Sequence, residues 1–300
     1  MRSASHRHGP QHLAALLPDG PVHYADFGGS GRPIVLVHGL GGSHANWLSV
    51  APDLTKHGRV IALDLAGHGR TQSLGRTATV GANRRLLGRF LDEVVNEPAV
   101  LVGNSMGGYL VLAEAAAEPA KATSLVLVGP AVPIAHGGAF DTQVLALFTA
   151  MAIPIVGELL MRLRTRSPEK AVSQMLALVC ADPSIVDADV LEAHVALARE
   201  RSSYGAVVGR DFLAAQRSLM MRLVRRRRFF DMVATIACPA LIVQGDRDRL
   251  VRLANARALA AARPDWGLEV IEGVGHVPQL EAPERFIAIV GAWLSNRRDA

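Results

Sequence analysis

Cysteine is nearly absent, with only Cys180 and Cys238 in 300 residues and a long stretch of chain between them. That excludes a disulfide framework and any Cys/His spacing able to hold structural zinc, and it fits a reducing compartment. Aromatic residues are also few, at 5%. A formal charge of +5 and a pI near 9.7 would otherwise suggest an acidic partner. The basic residues are dispersed, however, apart from Arg225-Arg226-Arg227-Arg228, and no aromatic motif interleaves them. Nucleic acid is therefore not expected as a partner, and the Arg225–Arg228 run reads as a solvated helix face. No stretch approaches the roughly 18 uninterrupted apolar residues that a membrane-spanning helix needs. The start, Met1 to His8, lacks the apolar region of a secretory signal, so a soluble cytoplasmic protein is expected. His6, His8 and His12 read as solvated tail residues rather than metal ligands, and neither a metal nor an organic cofactor is expected.

What the chain does have is hydrophobic residues, 50% of it, enough for one large core. Apolar runs of strand length alternate with helical patterns and are punctuated by Gly and Pro, the pattern of a parallel sheet wrapped by helices. Ile34–Val37, Val60–Leu63, Ala99–Val102, Ser124–Val128, Ala240–Val243 and Leu268–Ile271 read as strands. Val22–Phe27 alternates in polarity between two Gly-containing turns and reads as an antiparallel strand at the sheet edge. Between Val128 and Ala240 the strand rhythm stops and helical faces take over. The expected organisation is a tail over 1–20, a core over 21–130 and 238–300, and a helical cap inserted over 131–237.

Gly103-Asn104-Ser105-Met106-Gly107 follows an apolar strand and precedes an Ala/Leu-rich stretch. A G-x-S-x-G segment in that context forms a sharp turn that exposes the serine hydroxyl, with small neighbours allowing strand and helix to approach. The sequence resembles the α/β-hydrolase superfamily over nearly its whole length. The resemblance rests on His38-Gly39, Asp64-Leu65-Ala66-Gly67-His68-Gly69-Arg70-Thr71, the Ser105 turn, Gly245-Asp246-Arg247-Asp248 and Gly275-His276.

A serine hydroxyl needs a base of near-neutral pKa and an acid that fixes the base's tautomer. The resemblance implies the order Ser, acid, His, so Ser105 is the expected nucleophile and His276 the base, ahead of His136 and His194 in the cap. It places the acid at Asp248. Its rival Asp246 is assigned to capping the turn through an Asx hydrogen bond. Backbone N–H groups of Leu40 and Met106 are the implied oxyanion donors. Asp64, His38, His44 and His68 are assigned to shaping loops.

The resulting expectation is a cofactor-free serine hydrolase acting on a carboxylic ester of a small or lipophilic substrate. A carbon–carbon bond hydrolase stays open, because Gly-Asn-Ser-Met-Gly-Gly resembles the turn of meta-cleavage-product hydrolases. Gly41-Gly42 and Val277 depart from the Gly-Pro and post-histidine Trp that those enzymes share. A cofactor-free perhydrolase and a slow ligand-sensing receptor on the same fold are the remaining alternatives.

Overall fold

The computed structural model describes residues 9–135, 141–164 and 167–297, so His6, His8 and His136 lie outside the described residues. Eight strands form one sheet: β1 (Gln11–Leu17), β2 (Gly20–Gly28), β3 (Pro33–Val37), β4 (Arg59–Leu63), β5 (Ala99–Asn104), β6 (Ala122–Val128), β7 (Ala240–Gly245) and β8 (Gly267–Ile271). Their order is β1-β2-β4-β3-β5-β6-β7-β8. The β1–β2 and β2–β4 pairs are antiparallel and all later pairs are parallel.

The strand sequences explain this arrangement. Side chains alternate across a sheet, so a run apolar at every position must be covered on both faces. In β3, Val35 and Val37 enter one core cluster and Ile34 and Leu36 the other; β4, β5 and β6 divide the same way. Helices α2 (Val80–Phe90) and α3 (Met106–Ala117) cover the first face. The second is covered by α1 (Ala51–Leu54) and, from the C-terminal end, α12 (Pro283–Ser295) through Phe286 and Val290.

Two expectations are corrected at the N-terminus. Residues 11–17 belong to strand β1 rather than a tail, and β2 is not the sheet edge, because β1 lies outside it. Exposure alternates along the strand from His12 to Leu17, but the residue types, Gln-His-Leu-Ala-Ala-Leu-Leu, do not alternate in polarity, so the sequence pattern alone does not mark a strand. It forms because β2 offers a free edge one tight turn away.

Between β6 and β7 lie α4 (Thr142–Ala152), α5 (Val156–Arg164), α6 (Pro168–Val179), α7 (Ala188–Ser202), α8 (Ala206–Leu223) and α9 (Arg226–Ala234). These helices have small cores of their own, one around Met151, Met161 and Leu213 and one around Val172, Leu176 and Val190. The second also takes in Val277 and Leu280, which ties the inserted helices to the loop after β8. That loop leads into α11 (Pro278–Glu281), and α10 (Leu253–Ala262) joins β7 to β8. No single helix among the described residues is long and apolar enough to cross a membrane.

Candidate active site

Ser105 sits between β5 and α3 at φ 55° and ψ −116°, a conformation that L-residues rarely adopt. The turn is held by backbone hydrogen bonds on both sides. Ser105 N donates to Val128 O at 3.0 Å, and Ala131 N donates to Ser105 O at 2.9 Å. The flanking glycines are required by space: a Cβ on Gly107 would lie 2.1 Å from Val37 O, and one on Gly103 would lie 2.4 Å from Gly107 O. The strand and helix therefore cross too closely for any side chain at these positions.

Asp248 and His276 come from the loops after β7 and β8. Their side chains are buried and joined by a 2.7 Å contact between His276 Nδ1 and Asp248 Oδ2. A carboxylate can only accept, so Nδ1 carries the proton and Nε2 is left with a lone pair. His276 Nε2 is buried and has no hydrogen-bond partner among the described residues. Ser105 and His276 line the same cavity.

The other Asp248 oxygen accepts from Leu250 N and Val251 N, both at 2.8 Å, so this residue also makes the Asx turn. Asp246 does not make that turn. Its carboxylate instead accepts from Gly273 N at 2.7 Å, bridging the loops after β7 and β8.

Three supports escaped the sequence reading. Gln244 Nε2 donates to Asp248 Oδ2 at 2.9 Å and to Val251 O at 2.9 Å. Asn104 Nδ2 donates to His276 O at 3.2 Å and Val128 O at 3.0 Å, coupling the serine turn to the histidine loop. Glu281, buried beside that loop, accepts from Gly275 N and Ala181 N, while His276 N donates to Val179 O at 2.7 Å. A polar residue at a strand end or in a buried helix was the available signal, but its partner lies in a distant part of the chain.

The loop after β3 lies against the serine: a Cβ on Gly39 would touch Ser105 Cβ at 3.0 Å. Leu40 belongs to a turn closed by Gly42 N donating to Gly39 O. Met106 opens α3, whose first N–H groups have no acceptor within the helix. His38 holds this loop in place, since Leu65 N donates to its Nε2 at 3.1 Å and its Nδ1 donates to Gly39 O at 2.7 Å. Burial lowers its pKa to about 4, so it stays neutral and keeps that tautomer. Asp64 accepts from the backbone N–H groups of His44 and Arg70 and from the rings of His23 and His44. Its burial alone would raise its pKa, yet these hydrogen bonds outweigh burial and hold it well below the usual carboxylate range.

The cavity, about 540 Å³, is roofed by the inserted helices through residues such as Val144, Phe148, Val172, Met175 and Phe212. Its wall is largely apolar, with His68, His194 and Arg201 among its polar members. Burial lowers the pKa of His68 to about 3 and of His194 to about 4, so both are neutral near pH 7. The Arg225–Arg228 run is exposed except at Arg226, whose guanidinium donates to Ile134 O at 2.7 Å and lies over the Phe230 ring.

A strained serine after a central parallel strand, together with acid and histidine loops at the same sheet end, defines a class of proteins. Residues 32–283 match the alpha/beta hydrolase fold family, and the chain belongs to that family. Among its relatives is the dihydrolipoyllysine-residue acetyltransferase component of the acetoin cleaving system of Pseudomonas putida. The two are 30% identical over 94% of this chain and 69% of that protein. Also similar is the 2-hydroxy-6-oxo-6-(2'-aminophenyl)hexa-2,4-dienoic acid hydrolase of Metapseudomonas resinovorans, 26% identical over 90% of this chain and 87% of that one. Among solved structures, a thermophilic esterase from Thermogutta terrifontis superposes with a TM-score of 0.69 at 24% identity, covering 95% of this chain and 98% of its own.

Proposed function

We propose that this protein is a serine hydrolase that cleaves carboxylic esters with an apolar acyl part, using Ser105, His276 and Asp248. The observation that carries the reading is His276: buried, protonated on Nδ1 by its contact with Asp248, and bare at Nε2 on the wall of the cavity that Ser105 lines. In this mechanism Nε2 takes the Ser105 proton as Oγ attacks the ester carbonyl, and Asp248 stabilises the imidazolium that forms. The N–H groups of Leu40 and Met106 receive the developing oxyanion, helped by the N-terminal end of α3. The alcohol leaves with the proton from His276, and His276 then activates water to release the acid from Ser105. Residues 131–237 act as a cap that excludes bulk water and fits the acyl chain.

A second reading, cleavage of a carbon–carbon bond, is supported by the Metapseudomonas resinovorans relative, whose name gives its substrate as a 2-hydroxy-6-oxo-hexadienoic acid, a vinylogous diketone. The ester reading is favoured because Val277, buried beside His276 on the cavity wall, stands where the resemblance to meta-cleavage-product hydrolases implies Trp. A fluorophosphonate probe should label the wild type and fail on Ser105→Ala. A correctly folded wild type that resists labelling rules out the serine nucleophile. Turnover of p-nitrophenyl esters, rising with acyl length to the capacity of the cavity, supports the ester reading. Turnover of a vinylogous diketone with no ester turnover replaces it with the carbon–carbon reading.

A further inference from the structure

Large apolar side chains are exposed at fifteen positions among the described residues, and nine of these fall within 134–163 and 221–224. Single exposed apolar residues need no explanation, but a concentration of them marks a contact surface. Three of the nine, Ile134, Leu145 and Val224, also line the cavity over Ser105. A side chain that is both exposed and on the cavity wall marks where the cavity opens, so this surface includes the rim of its mouth.

The rest continues outward from that rim. Arg217, Met221 and Val224 are spaced to share one face of α8, and Arg217 Nε donates to Ala152 O at 3.1 Å where α4 ends. The chain then bends through 109° into α5. Ile155, Leu159 and Leu163 recur every four residues there, each more than half exposed, while Met161 turns inward to a small core. Ile155 is the most exposed of them, at 82%, and its φ is 70°. A β-branched residue is disfavoured at positive φ and an aliphatic one in water, so folding alone does not account for isoleucine at this corner.

The charge around this surface has one sign. From Thr142 to Leu163 the sole acidic residue is Glu158, which Arg217 neutralises at 2.8 Å, and Asp141 at the start of α4 is paired with Arg249 at 2.7 Å. Val224 leads directly into Arg225–Arg228. The bond from Arg226 to Ile134 O ties this run to the rim, and Arg225, Arg227 and Arg228 are exposed. Arg227 approaches Asp231 at 4.0 Å with both side chains in solvent, an ion pair too loose to cancel its charge.

We infer that the cap docks, with the cavity mouth facing inward, on a membrane surface that carries anionic lipid. The α4–α5 corner and the end of α8 enter the boundary of the acyl chains, and Arg225, Arg227 and Arg228 meet the head groups. By composition α4 and α5 together are apolar enough for a membrane span, but the 109° bend between them lays them along the interface instead of across the bilayer. The cavity favours a lipid surface over a protein partner: a protein seated on the rim would close the mouth, whereas a bilayer delivers an apolar ester to it without passage through water. That advantage rests on the ester reading above; the docking itself does not.

The test is cosedimentation of the full chain with vesicles of phosphatidylcholine alone and of equal parts phosphatidylcholine and phosphatidylglycerol. The wild type and Ser105→Ala should bind the anionic vesicles at least about tenfold more tightly than the neutral ones and release them as salt rises. Leu159→Glu and the double variant Arg227→Glu/Arg228→Glu should each weaken binding by at least about tenfold with the melting temperature unchanged. Leu16→Glu, at an equally exposed apolar position on β1, should bind as the wild type does. Vesicle binding needs no turnover, so it reports on docking whether or not the protein proves to be an esterase. With ester turnover established, Leu159→Glu should keep its activity on a water-soluble ester and lose it on a long-chain ester carried in anionic vesicles. The inference is overturned by no binding to anionic vesicles, by equal binding to both kinds, or by unchanged binding in Leu159→Glu. A wild-type dimer that dissociates in Leu159→Glu and ignores vesicles also overturns it, because the surface then belongs to a second copy of this chain.

Discussion

Replacing Ser105 with glycine should make the protein more stable while abolishing its hydrolysis. Ser105 is held at φ 55° and ψ −116°, and a non-glycine residue in such a conformation stores about 1–3 kcal/mol. Glycine adopts these angles without the Cβ clash but costs about 0.5–1 kcal/mol in unfolded-chain entropy. The net gain is about 1 kcal/mol, which for a chain of this size raises Tm by about 2–4 °C. Alanine keeps the Cβ and therefore the strain, so Ser105→Ala should melt close to the wild type. Paired thermal or urea melts of the three proteins, with ester turnover measured on each, separate the two effects. If Ser105→Gly is no more stable than Ser105→Ala, the turn is not strained and the argument that strain presents the hydroxyl fails.

Asp248→Asn should fold normally and lose most ester turnover, because His276 Nδ1 then faces an amide that no longer fixes its tautomer. Asp246→Asn should leave kcat within a few-fold and cost at most about 1 kcal/mol through the Gly273 hydrogen bond; the reverse pattern in kcat would reassign the acid. Asn104→Leu strands the carbonyls of His276 and Val128 and should destabilise by about 1–3 kcal/mol while lowering kcat more than it changes KM. Denaturant melts and steady-state kinetics read both effects. Acid should destabilise the fold through His38, His68 and His194, whose pKa values fall from 6.5 to about 4, 3 and 4. The unfolded chain binds these protons first, so their contribution is complete above about pH 6.5 and declines toward pH 4 by at most about 1.4 kcal/mol per pH unit for each ring. Urea midpoints across that range should show a shallower slope in His194→Gln, and an unchanged slope would remove that ring from the account.

The central strands were legible because each is apolar at every position, and only a sheet covered on both faces can bury such a run. Ser105 could be singled out because its requirements are local: small neighbours, a strand before and a helix after. The strand status of Gln11–Leu17 was not legible, since it depends on the free edge of β2 rather than on its own pattern. Gln244, Asn104 and Glu281 were missed for a related reason. Their hydrogen bonds join segments far apart in sequence, and a polar side chain does not announce which distant carbonyl or carboxylate it meets. His12 was read as a solvated tail residue, yet the β1–β2 register brings it against His23 and His44.

The sequence by itself determined the doubly covered parallel sheet and the position of the sharp serine turn, because apolar periodicity and glycine spacing act over a few residues. Only the tertiary structure decided that His276 contacts Asp248 while its other nitrogen meets no partner among the described residues, that Asp246 bridges two loops, and that the inserted helices enclose a cavity over Ser105. Each of these depends on which strand ends the chain brings together, and that is settled by packing across the whole sheet.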